Sequence, residues 1–416
     1  MHRRVVLTGL GAVTPCGNDV PTTWDAILSC RSGIVPVTRF DVTGWPSRIA
    51  GEVRDFDANA LFGRRDARRL GRFMHFAVAA SDEALADAGF DRAGSWPEAE
   101  RFGVYIGTGI GGFPEICEMA VELHEKGRRR VSPLFVPRSL NNLATGAVSI
   151  RHDARGPSLC ISTACAVGNH SIGEAWRAIR LGDADVVLAG GTESALSPLG
   201  YAGFMNMRAL SRNQGDPTRA SRPFDRDRDG FVMAEGAGLV VLEGLEHAEA
   251  RGARIYCELI GYGNSTDAYH ITAPSPEGEG AARCMRLALR SAGLQPEEVD
   301  HVNAHGTSTQ LNDPNEVAAI RAVFGEHAER ILVCSTKGVT GHTLGAAGGI
   351  EAVATALTLH TGLVPATANL DHPDPECTGV DLVRSEPRAA HPRIALSNAF
   401  GFGGTNATLA FARWDG

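Results

Sequence analysis

Short apolar runs rich in β-branched residues recur along the chain, at 4–10, 103–107, 159–163 and 186–190, each leading into a glycine-rich turn and a segment of helical period. This rhythm predicts alternating strands and helices, an α/β arrangement. From about residue 251 the pattern begins again, with strands expected over 254–261, 301–304, 331–335 and 394–397. Two topologically similar halves are therefore expected, residues 1–250 and 251–416. Corresponding turns rhyme: Gly-Leu-Gly at 9–11 with Gly-Tyr-Gly at 261–263, and Ala-Glu-Gly-Ala-Gly at 234–238 with Phe-Gly-Phe-Gly-Gly at 400–404. Asp313, Pro314 and Glu316 sit where N-cap, N1 and N3 residues belong, which predicts a helix to about Phe324 with Glu316 completing a capping box. His305 then lies in the strand-to-helix loop before it.

A chain of 416 residues, 43% hydrophobic and 21% charged, can bury one large core or two fused ones. Its formal net charge of -8 argues against a surface that coats phosphates, so no nucleic-acid partner is expected. Nine cysteines, an odd number without any Cys-x-x-Cys pair, disfavour a disulfide framework or a zinc ribbon. They suit a reducing cytoplasm, and no metal site is expected. The start, Met1-His-Arg-Arg, puts charge before an apolar run, but the run is short and no small-residue cleavage site follows. It reads as a first strand. No apolar stretch approaches the roughly 18–20 residues of a membrane helix, so no membrane insertion is expected.

Two motif matches are set aside. Gly107-Thr-Gly-Ile-Gly-Gly112 fits the dinucleotide fingerprint, yet the charged, proline-containing segment 128–137 stands where the second strand and its ribose-binding acid belong. A tight turn lining a pocket is the better reading. Asp225-Arg-Asp-Arg-Asp-Gly230 copies the first half of a calcium loop, but the twelfth position is Gly236 and two arginines add positive charge. An ion-pair network is expected there instead.

The candidate chemistry lies at three strand-to-helix junctions. Cys165 falls where the run 159–163 enters a helix, and exposed N–H groups at a helix start favour thiolate over thiol. His305 follows an apolar strand in Asn303-Ala-His-Gly-Thr-Ser-Thr309, and Lys337 and His342 follow another in Ser335-Thr-Lys-Gly-Val-Thr-Gly-His342. A lone cysteine or histidine is more often structural than catalytic. Strand ends of an α/β sheet converge on one crevice, however, so Cys165, His305, Lys337 and His342 can meet there as a nucleophile with neighbouring bases.

Together with Thr163-Ala-Cys165 and Asn398-Ala-Phe-Gly-Phe-Gly-Gly-Thr-Asn406, these segments resemble the β-ketoacyl-acyl-carrier-protein synthases, most closely the elongating type II enzymes of bacterial fatty-acid synthesis. The likeness runs from Val5 to Phe411. It implies a thiolase-like fold, two similar βαβαβαββ halves stacked in five layers as α-β-α-β-α, and a homodimer. It implies an acyltransferase in which Cys165 takes an acyl chain and His305 and His342 drive decarboxylation of malonyl-carrier protein, giving a Claisen condensation. Lys337 is then expected to hold the histidines and an acid, Glu351, in a charged network. Phe402 is expected to gate the site and to share the oxyanion N–H groups with Cys165. Thr307 and Thr309 match residues that bind the pantetheine arm, while Ile110, Phe204 and Phe400 are expected at the substrate pocket. The partner implied is an acidic acyl-carrier protein, met by Arg68, Arg69, Arg129, Arg130 and Arg208. No cofactor is implied beyond the phosphopantetheine on which the acyl groups arrive.

Alternatives of the same lineage are a polyketide ketosynthase and a non-catalytic chain-length-factor-like subunit. Cys165 speaks against the second. A thiolase would carry a second cysteine where Phe400 and Phe402 stand, and an initiating synthase would carry Asn at His342.

Overall fold

The computed structural model describes residues 3–90 and 97–416; Met1 and His2, where the charged start begins, lie outside them. Among the described residues, eleven strands join in one hydrogen-bonded system. They are β1 (Val5–Val13), β2 (Phe102–Gly107), β3 (Ser158–Leu159), β4 (Val186–Glu193), β5 (Gly236–Gly244), β6 (Cys257–Thr266), β7 (His301–Asn303), β8 (Leu332–Cys334), β9 (Asp381–Leu382), β10 (Ile394–Gly401) and β11 (Thr405–Arg413). Their order is β9-β8-β7-β10-β11-β6-β1-β5-β4-β2-β3. Outward from the antiparallel seam between β1 and β6, one side runs β1-β5-β4-β2-β3 and the other β6-β11-β10-β7-β8. The same order of first, fifth, fourth, second and third strand is used on both sides, with β9 added at one edge.

Six helices complete the layers: α1 (Arg72–Asp87), α2 (Leu143–His152), α3 (Val167–Leu181), α4 (Glu279–Ala292), α5 (Asn312–Phe324) and α6 (Ala347–Thr361). Helices α1 and α2 cover one outer face and α4 and α5 the other, while α3 and α6 lie between the two sheet halves and touch strands of both. The arrangement is the five-layered, thiolase-like α-β-α-β-α stack. Because strands are covered on both faces, they read as continuous apolar runs rather than as alternation. In β4, Val187 and Ala189 face the central layer and Val186 and Leu188 the outer one; in β5, Val240 and Leu242 oppose Leu239 and Val241 in the same way. Among the described residues no helix is long and apolar enough to cross a membrane.

Several sequence-based expectations need correction. The two glycine pairs at 9–11 and 261–263 are not turns but lie inside β1 and β6. A Cβ at Gly9 or Gly11 would strike the carbonyls of Ala84 or Ala80 on α1, and one at Gly263 that of Cys284 on α4. The rhyme is real, but its cause is close helix-on-strand approach. Residues 234–238 also read as a turn, whereas β5 starts at Gly236; of 400–404, residues 402–404 do form a turn, with β10 extending to Gly401 and β11 starting at Thr405. The run 159–163 is strand only at its first residue, within Ser158–Leu159. Helix α5 starts at Asn312, and Glu316 does not cap it.

The central helices approach one another through glycines. A Cβ on Gly349 of α6 would land on the Gly238 carbonyl of β5, and one on Gly168 of α3 would meet the Gly349 backbone. No flexible side chain can yield there. Gly349→Ala is therefore expected to lower the unfolding free energy by about 3 kcal/mol in denaturant titration; a loss below about 0.5 kcal/mol would contradict this packing.

Candidate active site

Cys165 sits in a single 3-10 turn, Ala164–Ala166, that runs directly into α3. His342 follows the short helix Lys337–Thr340 and precedes the turn into α6. His305 follows β7. At each of these three junctions a non-glycine residue adopts a left-handed conformation: Ala164 (φ 49), Ser308 (φ 68) and Leu344 (φ 51). Such conformations cost about 1–3 kcal/mol each and are retained where surrounding contacts over-determine them.

The three junctions meet. His342 Nε2 lies 3.1 Å from Cys165 Sγ. The His305 and His342 rings stand edge to face, with centroids 5.4 Å apart, and Phe400 and Phe231 pack against His305 and His342 at 5.8 and 5.3 Å. The backbone of each histidine is fixed. His342 N–H donates to Val232 O at 2.8 Å, and its carbonyl accepts from Ala234 N at 2.9 Å. His305 N and Gly306 N both donate to the Glu316 carboxylate at 2.8 Å, and Lys337 Nζ donates to His305 O at 2.5 Å. Lys337 also forms a buried ion pair with Glu351. Of the network expected around Lys337, these bonds join His305 and Glu351, while His342 is held through the backbone of Val232 and Ala234.

Burial sets the protonation states. It pushes both imidazoles well below their ordinary value, with the Lys337 ammonium adding to the effect, so both are neutral near pH 7. Burial also pushes the Cys165 thiol up to about 12, against the lowering influence of Lys337 and of the Phe402 backbone N–H. The helix start does hold Cys165 as expected, but in the free protein desolvation outweighs it. Thiol facing neutral imidazole is the resting pair.

A cavity of about 330 Å³ opens beside the sulfur, lined among others by Phe204, Arg208, Thr307, Thr309, Phe400 and Phe402. Phe402 is 37% exposed and tilts against Phe204, with centroids 6.4 Å apart. Thr307 and Thr309 hydroxyls lie 3.0 Å apart. Of the expected site residues, Ile110 is not on this wall, and neither are four of the five arginines. Arg68 and Arg69 lie at and just beyond the end of the helix Ala58–Ala67, with Arg69 paired to Asp66 and lining a different cavity. Arg129 and Arg130 form part of the exposed turn Arg128–Arg130.

Comparison with known proteins agrees with this geometry. The model of the β-ketoacyl synthase N-terminal domain matches residues 2–248, and that of its C-terminal domain matches residues 256–371. The chain belongs to the β-ketoacyl synthase family. Within it, the chain is 50% identical to a 3-oxoacyl-[acyl-carrier-protein] synthase 2 of Synechocystis sp., covering 99% of this chain and 98% of that one. A protein of the same name from Coxiella burnetii is 49% identical, with 99% of both chains covered. A β-ketoacyl synthase structure from Burkholderia phymatum superposes with a TM-score of 0.92 at 36% identity, over 99% of this chain and 100% of that one. A ketosynthase solved in complex with a type II polyketide acyl-carrier protein gives 0.92 at 34% identity over the full length of both.

Residue by residue, two acids of this β-ketoacyl synthase escape sequence reasoning. Glu316 looks like a helix cap and instead clamps the His305 turn. Glu193 ends the wholly buried strand β4, and its carboxylate takes hydrogen bonds from Thr108, Gly109, Ile110 and Gly111. The nest of N–H groups that resembled a pyrophosphate site is thus filled by the protein's own anion. A charge closing an otherwise apolar run was the available signal. The calcium-loop lookalike forms the ion-pair network expected of it: Asp225 with Arg222, and buried Arg228 with Asp374 and Asp313.

Because the thiolate is the reactive form, labelling of Cys165 by iodoacetamide is expected to accelerate from about pH 7 to about pH 10 without levelling. Peptide mass spectrometry reads the rate; a plateau below about pH 8 would mean that the sulfur ionises despite its burial.

Proposed function

We propose that this chain is a 3-oxoacyl-[acyl-carrier-protein] synthase that elongates fatty acyl chains by decarboxylative condensation. The observation that carries the reading is the Cys165 sulfur 3.1 Å from His342 Nε2 with His305 beside it. In the first half-reaction the sulfur proton passes to His342 as sulfur attacks the acyl thioester, and His342 returns that proton to the departing carrier thiolate and is neutral again. The Cys165 and Phe402 N–H groups receive the oxyanion. In the second, malonyl-carrier protein enters, and His305 and His342, neutral and able to donate, hydrogen-bond its thioester carbonyl. Carbon dioxide leaves, the enolate so stabilised attacks acyl-Cys165, and a 3-oxoacyl product departs. Neutral imidazoles suit this task, since the thioester carbonyl oxygen needs donors and each ring carries one N–H. Lys337 acts by holding His305 and Glu351 rather than as a nucleophile.

The acyl group arrives on a phosphopantetheine arm, which Thr307 and Thr309 receive, so no resident cofactor is invoked. Phe402, at the mouth and flanked by glycines, serves as the gate. The acidic carrier docks at the rim marked by Arg208, with Arg68, Arg69, Arg129 and Arg130 as further cationic positions. We assign a homodimer on the exposed edge strand β3, whose Leu159 stands with Ile110, Ile116, Val136 and Leu140 as exposed apolar side chains. Ile110 and the acyl pocket it borders would belong to that interface. A cytoplasmic location accords with nine free thiols. Identity of 50% to 3-oxoacyl synthases, against 34% to the polyketide ketosynthase complex, favours fatty-acid elongation over the polyketide reading.

Incubation with acyl-carrier proteins of graded chain length, followed by mass spectrometry, is the test. Acylation is expected at Cys165 and is lost in Cys165→Ala. The His305→Ala, His342→Ala double variant is expected to lose malonyl decarboxylation by at least about a thousandfold while retaining some acyl transfer. Decarboxylation at the unmodified rate in that variant would refute the assigned roles.

A further inference from the structure

We propose that Glu193 is a positioning residue whose carboxylate fixes the Ile110 loop against the entry of α6 and sets a negative charge near the backbone that leads into the Cys165 turn. It rests on the condensing function for its effect on substrate choice, but not for its effect on the sulfur. Glu193 is fully buried at the end of β4. Oε1 accepts from Thr108 Oγ1 at 2.9 Å and Gly111 N at 3.1 Å; Oε2 accepts from Gly109 N at 2.8 Å, Ile110 N at 3.3 Å and Gly345 N at 3.2 Å. Gly345 stands three residues after His342, so one carboxylate joins the loop of Ile110 to the segment of His342 across the sheet halves.

Four of these five partners are backbone N–H groups, which cannot accept a hydrogen bond. A proton on the carboxyl would face donors, so the ionised form is the one that fits, although burial works against it. Glu193 lies against the backbone that leads into the Cys165 turn: a β-carbon on Gly109 would meet both Glu193 Oε2, at 2.6 Å, and Ala164 O, at 3.7 Å. The other charges acting on the sulfur are Lys337 from the helix Lys337–Thr340 and Glu351 from α6, with neutral His305 and His342 completing the surround. The two acids oppose ionisation of the sulfur and Lys337 favours it. Two consequences follow from the geometry. The loop cannot shift as a backbone unit without breaking a fan of bonds to a buried anion, so movement at Ile110 is left to its side chain, and the acyl pocket proposed above to border it keeps a fixed backbone wall. The same charge adds to the burial that keeps the unloaded sulfur protonated.

Two variants separate charge from reach. Glu193→Gln removes the charge at constant size; Glu193→Asp keeps the charge but is one methylene too short to hold Gly111 and Gly345 together. For each, iodoacetamide rate constants at Cys165 are measured against pH, and acyl loading of Cys165 is measured against chain length, with circular dichroism reporting the fold. Glu193→Gln is expected to label at least about threefold faster at a given pH, its profile moved towards acid. Glu193→Asp is expected to keep the unmodified pH profile and to flatten the chain-length preference. An unmoved or alkaline-shifted profile in folded Glu193→Gln overturns the electrostatic role, and an unchanged preference in Glu193→Asp overturns the positioning role. Should Glu193→Gln fail to fold, the aspartate variant decides alone. If the unmodified protein takes no acyl group at Cys165, the condensing function fails while the alkylation comparison still judges Glu193.

Discussion

The near-contact of two buried helices through bare backbone is what the site depends on. Gly168 at the start of α3 meets Gly348 and Gly349 of α6, and Gly191 and Gly238 of the neighbouring strands admit the same helix. Cys165 lies just before α3 and His342 just before the turn into α6. With no side chain between the helix starts, the sulfur and the imidazole come within hydrogen-bond reach. A single methyl group in the seam would push them apart, which is why small residues recur there in an otherwise bulky core.

Around that contact the electrostatics follow from enclosure. Histidines enclosed with a lysine remain neutral, and a thiol enclosed with two acids remains protonated. Each buried charge has a structural task. Lys337 joins the His305 carbonyl to Glu351, Glu316 gathers the N–H groups of the His305 turn, and Glu193 gathers those of the Ile110 loop. The site is thereby preorganised, with groups that would otherwise need to reorient already fixed by carboxylates that do not react.

Much of this was legible in the chain. The strand-to-helix rhythm marks the α/β class, the family resemblance carries the five-layer stack, and the three junctions single out Cys165, His305 and His342. The strands β5 and β11 were not legible, because strands buried on both faces lose alternation and their leading glycines mimic turns. Glu316 was misread because an acid three residues inside a helix is the ordinary cap signature, and only the tertiary structure shows it turned towards the preceding loop. Ile110 and four of the five arginines lie off the cavity, and no local pattern in the chain sets them apart from ordinary surface side chains.

The contact between sulfur and imidazole is open to direct chemical measurement. A bifunctional alkylator of about three carbon atoms, added to the folded protein and followed by peptide mass spectrometry, spans only groups already within a few ångströms. A bridged peptide pair joining Cys165 to His342, lost on denaturation before labelling, is the expected product. Alkylation of Cys165 alone, with the second arm hydrolysed and neither histidine modified, would show that the sulfur does not face the rings.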